Sequence, residues 1–563
     1  MNSLLLVVVA VVAFVFGYRF YSRLLSLGIF HSENEYSIRA SSAPPDGVQG
    51  RFSRHLVFGQ HLASLAAAAA VTGGMVSLIW GWIPAFLWVV VATLTAAGTY
   101  GLGALWLSLR FPGLNPAEIA ARLLGPPAHG VYALLSFLLL LIMNAVSATL
   151  AAQLMSAFPS AVLPFWIIVV MALLFGNFLR DREDFAVITA SLIAVAVSLL
   201  LVWLLGDYPL AFTGALNFGF AETHVSFDAT VVWVILLFTY GYHATRLPMW
   251  KLIRPRGFFS ALLLAVALFI FYAAVVIDHP NLVAPEFHSG PAIPGTIPWL
   301  FVTLTSGAVA GIHLLIANGI SARQLKQETD ARYIGYGGAL ALGLLALSAI
   351  IIGGTGFASA EEWGQHYAAW ESFKDLSAVL ANYVNGFARL SSGVGLDPAF
   401  ARTLAALVVL GLLVAMLEAG LRLQKQILAG LTERYPSLLP GREKFLIGIA
   451  TGISALLALA DGHGRGGMTL WPVFGVADQI LAVLGFTLLA LVLRQLQRPL
   501  AVVILPLIFL LAVSNWALVE QMMQWWAADD WILLALGTIL VLMELRVALL
   551  TFNALKASPP PTA

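Results

Sequence analysis

The 563-residue sequence contains no cysteine, which excludes disulfides, thiolate metal sites and a cysteine nucleophile. Charge is also scarce, because Asp, Glu, Lys and Arg make up only 10% of the residues and the formal net charge is +1. A soluble domain carries about a quarter charged residues. So little charge cannot cover a soluble globule of this size, and it gives no basis for nucleic-acid binding.

The sequence is rich instead in apolar residues. Hydrophobic residues make up 60% of the chain, and the mean hydropathy is +0.91. The 16 Trp and 14 Tyr residues suit the aromatic belts that mark the two surfaces of a membrane. We therefore predict an all-α polytopic membrane protein, with the lipid bilayer as its solvent.

Stretches of about 20 apolar residues, the length that crosses a bilayer as a helix, occur about 15 times. Their predicted limits are 3–22, 60–79, 84–109, 131–155, 161–179, 185–205, 229–250, 258–278, 298–320, 334–356, 403–424, 445–461, 470–493, 500–518 and 531–552. The first stretch is interpreted as a retained span and not as a signal peptide, because Arg19 and Arg23 follow it instead of preceding it.

Alternating these spans across the membrane separates the 29 Lys and Arg residues. All of them fall on one side except Lys374, Arg389, Arg402 and Arg465. By the positive-inside rule the basic side is cytoplasmic. We therefore predict an N-terminus outside and a C-terminus in the cytoplasm.

One predicted span contains residues that favour a broken helix near its cytoplasmic start. The stretch from Phe58 to Gly74 is dominated by small residues, and its last pair, Gly73-Gly74, favours unwinding. Close helix packing through Ala and Gly is the alternative interpretation.

A second span offers another candidate break. Between Phe238 and Pro248, Gly241 weakens the helix, and His243 and Arg246 stand among apolar residues. Arg246 is either functional or extends to the cytoplasmic surface.

The two candidate breaks each open a set of five spans, and the two sets run in opposite directions. This pattern predicts two inverted five-helix repeats, a LeuT-like transporter architecture with extra helices, in which substrate binds between the breaks. The predicted divisions are an N-terminal span and cytoplasmic loop, two repeats, and additional C-terminal helices with a short tail: 1–59, 60–228, 229–424 and 425–563.

Several motifs are collinear with those of a known family. They are Leu300–His313, Ala317–Leu325, Asp330–Gly338, Tyr18–Tyr21, Pro45–Gly47, Val57–Gly59 with His61, Gly81–Pro84, Asn144–Val146 and Leu470–Gly475 with Gln479. The chain thus resembles the carbon starvation protein (CstA) family over nearly its whole length. This resemblance implies a carrier of the inverted-repeat fold in a bacterial or archaeal cytoplasmic (inner) membrane, and uptake of peptides or of pyruvate with protons.

The chain departs from the family pattern at positions where a site is expected. The departures are Gln60 for a first histidine, Ala67–Val71 for a Gly-Ala-Gly-Pro run, Thr99–Leu102 for a His-Asp pair, Ala317–Ile320 for Ser-Gly-Thr-Thr, Glu418–Arg422 for Asp-Thr-Gly-Thr-Arg, and Asp478 for Asn. The resemblance therefore supports the fold more strongly than the substrate.

Ionisable residues at membrane depth are the candidate functional groups, because burying them in a bilayer is expensive. His313 is expected to donate a hydrogen bond to a substrate carboxylate or to relay protons. The candidate proton-coupling residues are His61, Glu418 and Asp478. His61 facing cytoplasmic water, and an ion pair of Glu418 with Arg422, are the structural alternatives.

The other predicted substrate-binding residues lie on the two broken spans and on the span around Asn144. They are Ala69, Thr72, Gly73, Asn144, Tyr240, His243 and Arg246. Arg246 and helix N-termini would supply positive potential for an anion without a metal or another cofactor.

Together these features predict a secondary active transporter, not an enzyme, that imports a small pyruvate-like carboxylate with protons. A peptide or amino-acid carrier of the same fold is one alternative. A membrane sensor or subunit that does not transport is the other.

Overall fold

The computed structural model describes the chain in nine segments, and the Pro45–Gly47 motif and the tail beyond Lys556 lie outside them. The segments are 1–32, 53–65, 67–179, 184–212, 218–220, 223–225, 228–308, 311–434 and 443–556.

Helices form almost all of the regular structure in these segments. The first eleven are α1 (Ser3–Phe16), α2 (Arg54–Ser64), α3 (Ala67–Ser77), α4 (Trp82–Ala92), α5 (Gly98–Arg110), α6 (Pro116–Leu124), α7 (Pro127–Ala157), α8 (Val162–Leu179), α9 (Asp184–Leu205), α10 (Ala229–Arg246) and α11 (Ile253–Asp278). The others are α12 (Thr296–Ala308), α13 (Ile312–Ile316), α14 (Gly337–Thr355), α15 (Ala360–His366), α16 (Leu376–Ser391), α17 (Pro398–Arg434), α18 (Glu443–Ala458), α19 (Gly466–Thr469), α20 (Trp471–Gln495), α21 (Ala501–Ala527) and α22 (Trp531–Lys556). A short antiparallel hairpin pairs β1 (Phe218–Phe220) with β2 (Thr223–Val225).

The prediction of a polytopic helical membrane protein is confirmed. Within the described residues, ten helices are long and apolar enough to cross a membrane, or eleven if the bent pair α2–α3 is one span. The remaining predicted spans coincide with α9, α10, α12–α13 and α18. These helices are shorter, broken or less apolar, so the count of about 15 spans stays a prediction.

Burial divides the helices into a central and a peripheral group. In the most apolar 18-residue stretch of each helix, all residues of α17 and 94% of those of α20 are buried. The buried share is only 33% in α21 and in α22. Helix α17 packs on α7, α11, α10 and α18. A helix that is apolar on every side and surrounded by protein is a core helix, whereas α21 and α22 present apolar side chains to lipid.

The first predicted break is present, but not at the two glycines. Helices α2 and α3 meet at a bend of 51° after Ser64, where Leu65 has an extended backbone. Gly73 and Gly74 are helical. A Cβ on Gly73 would lie 2.5 Å from the carbonyl oxygen of Thr303, and a Cβ on Gly74 would lie 2.7 Å from that of Ala346. The expectation of unwinding there is wrong, because these glycines let helices pack closely.

The second predicted break is wrong. Helix α10 runs unbroken through Gly241 to Arg246 and ends before Pro248. A helix start is observed instead at α13, where the N–H groups of Gly311 and Ile312 bond to Asp478 on α20. This start does not open the second predicted set of five spans, so the inverted repeats stay a prediction.

The two ends of the bundle are held by different loops. The N-terminal residues bond to the loop after α11, where the N–H of Ser3 donates to the carbonyl of Pro280 at 3.0 Å. At the other end, Arg332 donates to the carbonyl of Tyr18 at 2.7 Å and Arg498 to that of Phe30 at 2.6 Å. This placement agrees with the predicted alternation, and the orientation in the membrane stays a prediction.

Candidate functional site

A cavity of about 530 Å³ opens beside α3, α12 and α20, and we call it the outer cavity. Its wall carries four indoles, from Trp299, Trp370, Trp471 and Trp525. Its charged residues are Glu371, Lys374 and Asp530. The ammonium of Lys374 lies 2.6 Å from the carboxylate of Glu371, so the cavity presents both signs of charge on an aromatic surface.

The membrane-embedded end of the outer cavity is formed where α3, α12 and α20 meet. Thr72 and Gly73, both predicted substrate-binding residues, line it together with Thr303 and Gly475. One turn after Gly475, the side chain of Gln479 donates to the carbonyl of Val302 at 3.2 Å. The cavity therefore ends directly above the next turn of α20, which carries Asp478.

Asp478 is completely buried and holds the start of α13. Its Oδ1 accepts the N–H of Ile312 at 3.0 Å, and its main-chain oxygen accepts that of Gly311 at 3.0 Å. The first N–H groups of a helix have no partner within that helix, so Asp478 supplies one from a neighbouring helix. Its Oδ2 has no hydrogen-bond partner among the described residues.

His313 follows directly after this contact and stacks on Tyr100. The two ring centroids are 6.2 Å apart with an interplanar angle of 27°. Both ring nitrogens of His313 and the hydroxyl of Tyr100 lack a partner in the part of the chain that the structure describes. Tyr100 and Asp478 are close enough to interact electrostatically. Buried polar groups are nearly always bonded, so three partnerless groups at one place call for a functional explanation.

His61 lies in the last turn of α2, just before the bend. Its Nδ1 is 2.8 Å from the hydroxyl of Ser321, and its Nε2 has no partner among the described atoms. His61 and His313 are near enough to interact electrostatically. We call Asp478, Tyr100, His313 and His61 the central polar cluster.

Further polar contacts continue from the central polar cluster toward the basic end of the bundle. Gln324 donates to the side-chain oxygen of Gln60 at 3.1 Å, and Arg254 donates to Gln324 at 2.7 Å. Polar side chains thus follow one another from the end of the outer cavity to Arg254.

Glu418 belongs to a separate group, the ion-pair cluster of Tyr240, Arg256 and Glu418. Nε of Arg256 lies 2.8 Å from Oε1 of Glu418, and Nη2 donates to Oε2 at 2.9 Å. Tyr240 donates to Oε1 as well. Arg422, the partner in the structural alternative, is near enough to act on Glu418 electrostatically, but its guanidinium donates to the carbonyls of Thr245 and Leu247 and so caps the end of α10.

The remaining predicted site residues are not brought to the central polar cluster. Asn144 donates to Gln424 on α17 at 3.1 Å. Ala69 is buried in α3. His243 and Arg246 are exposed on α10. Their role in substrate binding stays a prediction.

The sequence did not indicate two residues that the structure places in these clusters. Tyr100 was visible only as part of a departure from the family pattern, inside an apolar span. Arg256 was visible as a charged residue next to a span, but its pairing with Glu418 joins α11 to α17, which are far apart in the sequence.

These features define the class: a multi-pass helical membrane protein with a polar site buried between its helices. The model of the family "Carbon starvation protein CstA" matches residues 2–388 and 365–517, so the chain belongs to this family.

The chain is also similar to characterised proteins over most of its length. A peptide transporter CstA of Mycobacterium tuberculosis is 27% identical, over 88% of this chain and 72% of that protein. A peptide transporter CstA of Escherichia coli is 26% identical, over 88% and 78%. The pyruvate/proton symporter BtsT of Escherichia coli is 24% identical, over 92% and 81%.

A solved structure, of a manganese transporter mutant from Eremococcus coleocola, covers 93% of this chain and 98% of its own with 14% identity. Its TM-score of 0.42 is too low to assign a fold.

Proposed function

We propose that this protein is a secondary active transporter that imports a small, pyruvate-like carboxylate together with protons. The observation that carries the proposal is the central polar cluster with its partnerless buried atoms, whose Asp478 follows the cavity-lining Gly475 by one turn of α20. Such groups are costly in a membrane and are retained where substrate or protons pass. In the predicted topology the outer cavity opens to the outside of a bacterial or archaeal inner membrane.

The proposed proton path starts at Asp478. Its Oδ1 is occupied by the N–H of Ile312, so the side chain is held in place while Oδ2 is available to bind a proton. His313 and Tyr100 come next, and His61 lies on the side of Ser321 and the basic end. Each of these groups has a side-chain atom that can bind or donate a proton and that has no hydrogen-bond partner among the described residues.

The substrate carboxylate is proposed to bind between the embedded end of the outer cavity and His313. Thr72 and Gly73 line that end, and a protonated His313 would bond to the anion while neutralising it. Substrate and proton would then stabilise each other at one place, which is the physical basis of coupled transport.

A peptide or amino acid is the second candidate substrate, and the outer cavity favours it. Its volume of about 530 Å³ is large for a three-carbon acid. Its indoles and its charges of both signs suit a zwitterion with an apolar side chain. Seven of the eight relatives compared carry the name peptide transporter.

The test is uptake of labelled pyruvate by proteoliposomes with and without an inward proton gradient. We expect gradient-dependent accumulation in the wild type and none in His313→Ala. His463→Ala is the matched control, because His463 is exposed in a loop and should leave uptake unchanged. Gel filtration and thermal unfolding verify that each variant is folded.

Other outcomes separate the alternatives. Uptake of dialanine or alanine without pyruvate uptake would favour the second candidate. Ligand binding without flux would indicate a sensor and contradict transport. Wild-type uptake by a folded His313→Ala variant would remove His313 from the site.

A further inference from the structure

A groove in the lipid-facing surface separates α10 from α18, and we call it the α10–α18 groove. It has a volume of about 340 Å³ and is lined by Phe238, Tyr242, Gly448, Thr451, Gly452 and Ala455. Exposed apolar side chains border it, among them Ile235 at 46% and Leu456 at 72% exposure. The groove therefore opens toward the acyl chains of the bilayer.

The floor of the groove is unusually bare. No described atom lies within 4 Å of a Cβ built on Gly448 or Gly452. Small residues in membrane helices normally allow another helix to approach closely, but no helix of the described chain fills this space. The absence of side chains here leaves room for a ligand and does not serve packing between α10 and α18.

Thr451 gives an independent indication of a ligand. Its side chain lines the groove and is only 8% exposed, yet Oγ1 has no hydrogen-bond partner among the described residues. A buried threonine in a helix usually donates to the carbonyl of the preceding turn. Oγ1 itself is covered in this rotamer, and rotation about χ1, which a helical threonine allows, is needed for it to reach an acceptor in the groove.

Cations stand at one end of the groove. Arg246 ends α10 and is exposed, and its Cζ lies 5.6 Å from the ring centroid of Tyr242, a groove residue. Lys444 is exposed in the first turn of α18, one turn before Gly448. The helices are antiparallel here, with Tyr242 and Gly448 in the same groove, so both cations lie at the same end.

The carboxylate that begins α18 is already paired. Glu443 begins α18, and its Oε1 accepts a hydrogen bond from Nζ of Lys425 at 2.9 Å. The first N–H groups of α18 also add positive potential at this end. The net charge at this end of the groove is therefore favourable for binding an anion.

We propose that the α10–α18 groove binds one anionic phospholipid. The phosphate would lie between Arg246 and Lys444, one acyl chain would run over Gly448 and Gly452, and an ester carbonyl would accept the hydrogen bond of Thr451. A basic pocket between helices at the cytoplasmic surface is the expected form of such a site.

The size of the groove favours an acyl chain over a protein helix. From Gly448 to Ala455 the floor is about 10 Å long, which accommodates a stretch of acyl chain but only about two turns of a helix. The groove lies on the lipid-facing side of α10, apart from the central polar cluster. The proposal therefore does not depend on which substrate is carried.

The test is native mass spectrometry of the detergent-purified protein titrated with phosphatidylglycerol and, separately, phosphatidylcholine. We expect one phosphatidylglycerol to bind in preference to phosphatidylcholine. The double variant R246Q/K444Q should weaken that binding about 30-fold, since each surface cation contributes about 1 kcal/mol to attraction of anionic lipid and about 1.4 kcal/mol is tenfold. G448L/G452L should abolish it by filling the groove, and the open space at both positions allows the variant to fold.

The charge-matched control is K326Q/R494Q, which removes two exposed cations predicted on the same membrane side. It should bind phosphatidylglycerol as the wild type does. Equal binding of both lipids by the wild type, or unchanged binding in folded G448L/G452L, would overturn the proposal. A lipid-free dimer that G448L/G452L converts to a monomer would also overturn it, by showing that a second copy occupies the groove.

Discussion

The central polar cluster and the ion-pair cluster both lie buried among the helices, but they are bonded in opposite ways. In the ion-pair cluster both carboxylate oxygens of Glu418 contact Arg256, and Tyr240 adds a further bond. In the central polar cluster, His313, Tyr100 and Asp478 each keep an atom without a partner among the described residues.

The difference determines whether each cluster can take up and release a proton or a ligand. A carboxylate whose two oxygens are held by a buried guanidinium has no free oxygen for a proton or a ligand, and removing its partner would leave an unpaired charge. A buried group with a free lone pair can take up a proton or a ligand with little rearrangement. Because both are ionisable residues in apolar spans, the sequence predicts the same proton-coupling role for Glu418 and Asp478. Their hydrogen-bond partners differ, since both oxygens of Glu418 are occupied and Oδ2 of Asp478 is not.

The largest effect is expected when one member of the ion-pair cluster is removed. Glu418→Gln leaves Arg256 buried without its counter-ion and should destabilise the protein by about 3–5 kcal/mol. The double variant E418Q/R256M should recover much of this loss, because no unpaired charge remains. Unfolding in detergent measures both, and Glu371→Gln, in an exposed pair, is a control expected to change stability by less than about 1 kcal/mol.

Uptake by the double variant then tests the division between the clusters. If Glu418 serves only stability, folded E418Q/R256M should keep gradient-dependent uptake. Loss of the gradient dependence in a well-folded double variant would return Glu418 to the proton path, as the sequence predicts.

A smaller effect on stability, but a selective one on function, is expected for Asp478→Asn. The amide oxygen can still accept the N–H of Ile312, so the start of α13 should stay in place. The variant cannot carry a proton at Oδ2. Accumulation driven by a proton gradient should fall to background, while exchange of labelled for unlabelled substrate continues.

Glu361→Gln is the control for this variant, because Glu361 is an exposed carboxylate in α15. It should accumulate substrate as the wild type does. Full gradient-driven accumulation by Asp478→Asn would mean that another group carries the proton.

The helices of this fold could be predicted because apolar length is a local property of the sequence. Every predicted span coincides with a helix or with a consecutive pair of helices. The family could be predicted for the same reason, since its motifs are continuous stretches such as Leu300–His313.

Partners and breaks could not be predicted, because both are set by other helices. Arg422 follows Glu418 by one helical turn, which favours a local pair, but its guanidinium is used by the end of α10. The start of α13 at Ile312 depends on an acceptor from α20, which lies more than 160 residues later in the chain. His61, His313 and Asp478 were visible in the sequence as candidate members of the central polar cluster, whereas Tyr100 was not.

The smallest effect on stability is expected for Gly73→Ala, which tests whether the first broken span is unwound at Gly73 or only bent after Ser64. Gly73→Ala places a Cβ 2.5 Å from the carbonyl oxygen of Thr303, a backbone atom that cannot move alone. We expect α3 and α12 to separate slightly, with a loss of about 1–3 kcal/mol. Gly130→Ala, on α7 with no described atom within 4 Å of its Cβ, is the control and should be neutral or slightly stabilising.

The two interpretations of Gly73 differ in what this variant does to unfolding and to uptake. If the glycine is needed for close packing, thermal unfolding should shift down while substrate preference stays the same. If Gly73-Gly74 instead unwinds to contact substrate, alanine should leave stability unchanged and impair uptake. A Cβ at a close helix crossing should lower stability. A Gly73→Ala variant with unchanged stability and impaired uptake would therefore favour the sequence-based expectation that Gly73-Gly74 unwinds.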